Sequence, residues 1–373
     1  MGSGRRPWCH GHLLRLDRGI RAPTGQLSPE HPVGACLTQS TKAWNRETSS
    51  TLFSYPVTCH LSPVTCHLSP VTCHLTMPIT LGLWPVAGVT TIGVTPQDAR
   101  STVAAAIECG ITRFDTAFSY GYDGESDRLL GQFVAQDRDK YFIIGKVGQR
   151  WSGDHQRVVD GSPQTLSSDA ETSLRRIGIE QFDLLMLHSP DPNVPIEKSA
   201  ETIDQLRQRG LCRTTGVCNV DSQQRAQFAS VCRCDAIQCP LNMLQQENLE
   251  QLIPQCHQDG GEVHVFWTLM KGLLAGKITR DHVFAPGDSR PNYPIFQGEQ
   301  RRRTHDILDR LSEIAQDERL TIAQLSIGWA LAQDGVTSAL VGARRPQQIK
   351  ETAKTRRLDS ETVHRIDQVL ATT

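Results

Sequence analysis

Four polar side chains sit at or near the ends of apolar, strand-like runs. They are Asp115 and Tyr120 in RFDTAFSYG, Lys146 in YFIIGKVG and His188 in FDLLMLHSPDP. An acid, a phenol, an amine and an imidazole are the groups needed to protonate a carbonyl oxygen while a hydride reaches its carbon. Singly, none of them carries information. In this order, each stands where an α/β barrel exposes its active face.

The elements that must hold these residues alternate from residue 77 onward. ITLGLW is an apolar run. TPQDARSTVAAAIECG follows as a helix, with Thr95 as N-cap, Pro96 at the first helical position and Gly110 at the C-terminal end. ITRFDTA and YFIIGKV read as strands, and ESDRLLGQFVAQ as a helix. SPQTLSSDAETSLRRIG sets Leu166, Ala170 and Leu174 on one helical face. FDLLMLH is almost continuously apolar, as a parallel strand buried on both faces must be. CRTTGVCNV, DAIQCPL, EVHVFWTLM and VTSALVGA continue the strands, with helical segments between them. A polar stretch from Lys271 to Arg303 is too long for a plain connection and predicts a functional loop. Eight strand–helix units in about 297 residues favour an α/β protein of one domain, a closed (β/α)8 barrel. An open Rossmann sheet is disfavoured, because no G-x-G-x-x-G follows the first strand.

The 373 residues are 38% hydrophobic and 21% charged, which suits a globular protein. A net charge of −1 gives no global electrostatic case for nucleic acid or anionic lipid. No run approaches the roughly 18 apolar residues of a membrane span. Five of the twelve cysteines precede residue 77. The later seven lack metal-type C-x-x-C spacing, and there is no apolar signal segment. Reduced thiols in a cytoplasmic chain without a metal site are therefore expected.

Residues 56–76 are three near-identical heptads, PVTCHLS, PVTCHLS and PVTCHLT. Their Cys-His pairs could in principle supply a tetrahedral metal site. Each unit contains a proline, however, and three seven-residue units are too short for a solenoid. The first 76 residues carry a net charge of +4, and the remainder −5. Residues 1–76 are read as a low-order extension, with Met77 the natural start and 77–373 the barrel domain.

Over residues 79–360 the chain resembles the aldo-keto reductase superfamily, in its bacterial-type oxidoreductase branch related to the potassium-channel β-subunits. The resemblance rests on GITRFDTAFSYG-x-x-GESDRLLG, the lysine strand, SLRRIGIEQFDLLMLHSPDP and VGARRPQQIKET. It implies Tyr120, rather than Tyr122, as proton donor. Lys146 would then lower the phenol from its ordinary pKa of about 10. Asp115 would orient Lys146, and His188 would place the substrate oxygen.

The resemblance also implies contacts to a nicotinamide cofactor. Cys218 and Asn219 stand where a Ser-Asn pair holds the carboxamide, and Gln238 completes that grip. A thiol is a weaker hydrogen-bonding group than a hydroxyl. Phe266 matches a ring-stacking position where Tyr is common, with Trp267 beside it. Lys271, Gly272, Leu274 and Lys277, in KGLLAGK, match the segment crossing the pyrophosphate. Gly342, Arg344, Gln348 and Glu351 match the adenosine end. Arg344 is the candidate for a 2′-phosphate, favouring NADP(H) while leaving NAD(H) possible. Gly145 departs from the Ser or Thr common before the lysine. Trp84, Phe118, Trp151 and the 278–303 loop, with Phe284, Tyr293 and Phe296, are candidate lining for a small carbonyl substrate. The implied function is NAD(P)H-dependent reduction of an aldehyde or ketone. Its alternatives are a sugar or polyol dehydrogenase running the same site in reverse, and a nicotinamide-binding regulatory subunit. Nothing in the sequence selects an oligomeric state.

Overall fold

A computed structural model describes residues 78–89 and 91–372. The extension expected over residues 1–76 and the start expected at Met77 lie outside the described residues. The strands are β1 (Ile79–Gly82), β2 (Arg113–Asp115), β3 (Phe142–Val147), β4 (Gln149–Trp151), β5 (Arg157–Val159), β6 (Phe182–Leu187), β7 (Cys212–Cys218), β8 (Ala236–Pro240), β9 (Glu262–Phe266) and β10 (Ser338–Gly342). Eight of them close a barrel in the order β1-β10-β9-β8-β7-β6-β3-β2, and every pairing is parallel. Strands β4 and β5 form a separate antiparallel hairpin, which the sequence reading did not foresee.

Among the described residues, ten helices cover the barrel: α1 (Pro96–Glu108), α2 (Glu125–Val134), α3 (Pro163–Ile177), α4 (Ile196–Gln208), α5 (Ser222–Ala229), α6 (Leu252–Gln258), α7 (Gly298–Asp317), α8 (Ile322–Ala332), α9 (Pro346–Thr352) and α10 (Ser360–Ala371). Helix α1 starts as its sequence dictates. Thr95 Oγ1 accepts from the Asp98 amide, Asp98 accepts from the Thr95 amide, and Pro96 follows the cap. In α3, Leu166, Ala170 and Leu174 are all buried against the barrel.

Side chains alternate across each strand, and this separates two cores. Ile144, Leu184, Met186 and Ala236 form a small cluster of their own. Ile144 shares a strand face with Lys146, and Met186 with His188. Thus an apolar layer lies beneath a polar rim. The larger core fills the space between strands and helices, with Val103, Leu130, Leu185 and Ile203 among its fully buried members.

The polar stretch is shorter than its sequence suggests. Three short 3-10 turns occupy Met270–Ala275, Arg290–Asn292 and Pro294–Phe296, and α7 already begins at Gly298. Residues 298–303 are therefore helix, not loop. Their helicity has no apolar signature, but Glu299 faces Arg302 and Arg303 at helical spacing. Among the described residues, no helix is long and apolar enough to cross a membrane.

Candidate active site

The C-terminal strand ends bring the four opening residues together. Asp115 ends β2, Lys146 lies one residue from the end of β3, and His188 follows β6 directly. Tyr120 comes from the loop after β2. The Lys146 ammonium lies 2.5 Å from Asp115 Oδ2, both side chains being almost fully buried. The ammonium also sits 4.8 Å from the Tyr120 ring centroid. Tyr120 Oη lies 3.5 Å from Asp115 Oδ1, and the Tyr120 and His188 rings meet edge to face at 5.7 Å.

Their electrostatics follow from this packing. Burial raises the Tyr120 pKa above its ordinary value; Lys146 opposes the rise and Asp115 adds to it. Burial alone would lower Lys146, but Asp115 first, and then Tyr120 and Cys218, hold it above its ordinary value. Burial pushes His188 well below the usual histidine range, with Lys146 and Arg157 adding to the effect. The ammonium therefore stays charged, the phenol stays protonated and the imidazole stays neutral near pH 7. His188 Nδ1 is buried without a hydrogen-bond partner.

One cleft of about 670 Å³ runs from this cluster along the strand ends to Arg344, Gln348 and Glu351. Cys218, Asn219, Gln238, Phe266, Trp267, Lys271, Gly272, Lys277 and Gly342 all line it, as do Trp84 and Trp151. Gln238 donates to Asp115 Oδ2 at 2.6 Å. Its amide nitrogen thus braces the acid, beyond the cofactor grip expected of it. Asn219 donates to the His188 carbonyl at 2.9 Å. Burial pushes the Cys218 thiol up to about 12, with Lys146 opposing. The thiol therefore keeps its proton, 3.9 Å from Gln238 Oε1.

The segment after β9 bends through left-handed backbone at Trp267, Met270 and Lys271 as well as at Gly272. Non-glycine residues there are uncommon and concentrate at ligand clamps. The Lys271 ammonium lies 4.1 Å from the Trp267 ring and 4.3 Å from Tyr293.

Four expected residues fall outside the cleft, Phe118, Leu274, Phe284 and Phe296. Phe118 packs beneath the guanidiniums of Arg150 and Arg176. Leu274 is fully buried in the outer core, because the 3-10 turn directs it inward between Gly272 and Lys277. Of the three loop aromatics, only Tyr293 lines the cleft. Phe284 and Phe296 pack edge to face on one another.

The adjacent arginines separate cleanly. Arg345 pairs with Asp98 and donates to the Gly93 carbonyl. Arg344 lines the cleft, and among the described residues its guanidinium has no ion pair. Sequence reasoning missed Gln149 and Arg157, which also line the cleft, and did not single out Arg290 within the 278–303 loop. The SGDH turn between the hairpin strands was the available signal for the first two.

Comparison with known proteins agrees with this geometry. The family model described as "Aldo/keto reductase family" matches residues 78–371. The chain belongs to the aldo/keto reductase family. It is 30% identical over 275 residues to Aldo-keto reductase YhdN of Bacillus subtilis (strain 168), covering 73% of this chain and 82% of that one. It is also 30% identical over 286 residues to the NADH-specific methylglyoxal reductase of Escherichia coli (strain K12), covering 73% and 87% respectively. Among solved structures, the glycerol dehydrogenase AKR11B4 from Gluconobacter oxydans is 30% identical with a TM-score of 0.73, over 79% of this chain and 91% of that one. As an aldo/keto reductase, the chain is an oxidoreductase that uses a nicotinamide cofactor.

Proposed function

We propose that this aldo/keto reductase reduces a small aldehyde or ketone at the Tyr120 end of the cleft, using NADP(H). The observation that carries this reading is the buried Lys146–Asp115 contact under Tyr120, with His188 beside it. The cleft suits a dinucleotide as well. Lys271, Lys277 and Arg344 line it without carboxylate partners among the described residues. Gly272 (φ +94°) meets no backbone within 4 Å of the position a Cβ would take, which leaves room for close approach.

A bound nicotinamide dinucleotide supplies the hydride. Tyr120 holds a proton at Oη and delivers it to the carbonyl oxygen as charge grows there. Lys146 stabilises the phenolate that remains, and Asp115, braced by Gln238, keeps Lys146 charged and in place. Neutral His188 donates an N–H to the same oxygen and fixes its position. Phe266 and Trp267 offer ring faces to the nicotinamide, and Cys218 and Asn219 polar groups to its carboxamide. Arg344 supplies an unpaired, planar fork for a 2′-phosphate.

The similar methylglyoxal reductase is named as NADH-specific, so NADP(H) preference rests on Arg344. The similar glycerol dehydrogenase favours polyol oxidation as the second reading, with the same residues running in reverse.

The test is titration of the full chain with NADPH and NADH, followed by an aldehyde panel that includes methylglyoxal. NADPH should bind more tightly and be oxidised only when aldehyde is present. Tyr120→Phe should lower kcat by about 10² or more and leave NADPH affinity within about twofold, because the hydroxyl serves chemistry and not binding. Near-normal turnover by that variant would remove Tyr120 as the acid. Tighter binding of NADH would remove the phosphate role of Arg344.

A further inference from the structure

Arg157, on the short hairpin strand β5, is one of two cleft-lining cations that the proposed chemistry leaves unused, Arg290 being the other. Its guanidinium carbon lies 4.8 Å from the Trp84 ring and 5.0 Å from Trp151. These two indoles stack with planes 15° apart. Trp84 in turn meets Tyr120 edge to face at 5.2 Å. The cation is therefore one aromatic ring away from the phenol.

No carboxylate among the described residues neutralises Arg157. Among the described residues its guanidinium has neither an ion pair nor a hydrogen bond, and the residue is exposed. Arg150, on the facing strand of the same hairpin, is held by Asp169 at 2.6 Å. Arg290, across the cleft, is held by Asp288 at 2.6 Å. Three carboxylates line the cleft, Asp115, Asp288 and Glu351. The first is committed to Lys146 and the second to Arg290. Glu351 makes no ion pair with Arg157. Contact with the indole faces orients a guanidinium without using its N–H donors. Five donors thus remain in a fork that matches a carboxylate or phosphate.

We infer that Arg157 is an anion-recognition subsite in the substrate half of the cleft, so that the preferred carbonyl compound carries a carboxylate or phosphate a few bonds from its reacting carbon. This rests on the reading of Tyr120 as the proton donor, because that reading sets where the carbonyl lies. Trp84 and Trp151 form the wall between the two points, and Arg157 is a specificity residue rather than a catalytic one.

The experiment compares matched substrates on the full chain at low ionic strength. One pair is 4-carboxybenzaldehyde and its neutral isostere 4-formylbenzamide. The other is glyceraldehyde 3-phosphate and glyceraldehyde. In at least one pair, the wild type should prefer the anion by about tenfold or more in kcat/KM. The pair with the larger ratio identifies carboxylate or phosphate as the ligand. Arg157→Gln should erase the preference by raising KM for the anion, leaving kcat within about threefold and the neutral partner unaffected. Arg157→Lys should keep part of the preference, since it retains charge but loses the fork.

Equal efficiencies in the wild type would overturn the inference. So would an Arg157→Gln variant that loses activity equally on both members of a pair, because this would mean that the arginine only packs the indoles. If none of the four compounds is turned over, the reductase reading itself fails. Binding of unreactive terephthalate and of glycerol 3-phosphate to cofactor-loaded protein, measured by calorimetry, then decides the subsite separately. Loss of that binding in Arg157→Gln supports the subsite, and binding independent of Arg157, or none by the wild type, overturns it.

Discussion

Tyr120 and His188 are displaced in opposite directions by the same buried surroundings, and this fixes how the pH profile must look. Burial favours neutral forms, so the phenol holds its proton to higher pH and the imidazole refuses one to lower pH. Lys146 adds to the effect on His188 and opposes the one on Tyr120. The pair that the proposed mechanism needs, a protonated phenol and a neutral imidazole, therefore dominates above the lowered histidine value and below the raised tyrosine value. In the reductive direction kcat should be flat from about pH 6 to pH 9, with no limb near the ordinary histidine value of about 6.5. A titration centred near 6.5 that disappears in a His188→Asn variant would show that the imidazole charges in the complex. The same scale shows what the sequence could give. Types and spacing pointed to Asp115, Tyr120, Lys146 and His188 together. They did not foresee what holds the neighbouring Arg345, which pairs with Asp98 and the Gly93 carbonyl, distant in sequence.

Among the elements, the buried parallel strands were legible because their apolar runs have no other use. The β4–β5 hairpin was not, because each of its strands has only three residues and mixes polar with apolar ones. Yet it brings both Trp151 and Arg157 to the cleft. Leu274 was misassigned because a 3-10 turn places every third residue on the same side, and the KGLLAGK pattern does not announce one. Gly145 gains a physical reason from the strand beyond it. A Cβ there would lie 2.5 Å from the Phe182 ring of β6, and Phe182 is fully buried. The absent Ser or Thr is thus replaced by an aromatic ring in the same space. Gly145→Ser should destabilise the fold by roughly 1–3 kcal/mol through overpacking. Phe182→Leu should cost stability alone but relieve the crowding when combined with it. Urea unfolding of the two single variants and the double variant checks this. The double variant should be less destabilised than the sum of the singles by about 1 kcal/mol, and strict additivity would mean that the ring does not block the site.

At the scale of the whole molecule, the count of eight strand–helix units was enough to infer closure, and β1 indeed pairs with both β2 and β10. What the pattern concealed was a charged residue inside the wall. Asp127, in GESDRLLG, has the look of a solvent-facing acid in the first turn of a helix. It is instead fully buried where α2 meets α3 and the loop after β2. Thr116 and Ser173 hydroxyls each donate to it at 2.7 Å, and among the described residues it has no ion pair. Burial pushes its carboxyl up to about 6, with the Ser173 and Thr116 hydrogen bonds resisting. The sign follows directly. Between about pH 4 and 6 the folded chain keeps a proton that the unfolded chain releases, so the Asp127 contribution is full below pH 4 and is lost as pH rises through 6. The loss amounts to about 3 kcal/mol. His188 and His264, both lowered by burial first, act in the other direction and weaken the fold as pH falls below about 6.5. The wild-type stability curve mixes these opposed effects, and a difference curve separates them. Asp127→Asn cannot ionise, while the histidines are common to both proteins. The stability advantage of wild type over Asp127→Asn, from urea unfolding at several pH values, should therefore shrink by about 3 kcal/mol between pH 4 and pH 7. A difference that stays constant over that range would mean that Asp127 ionises as readily inside the barrel wall as it does in the unfolded chain.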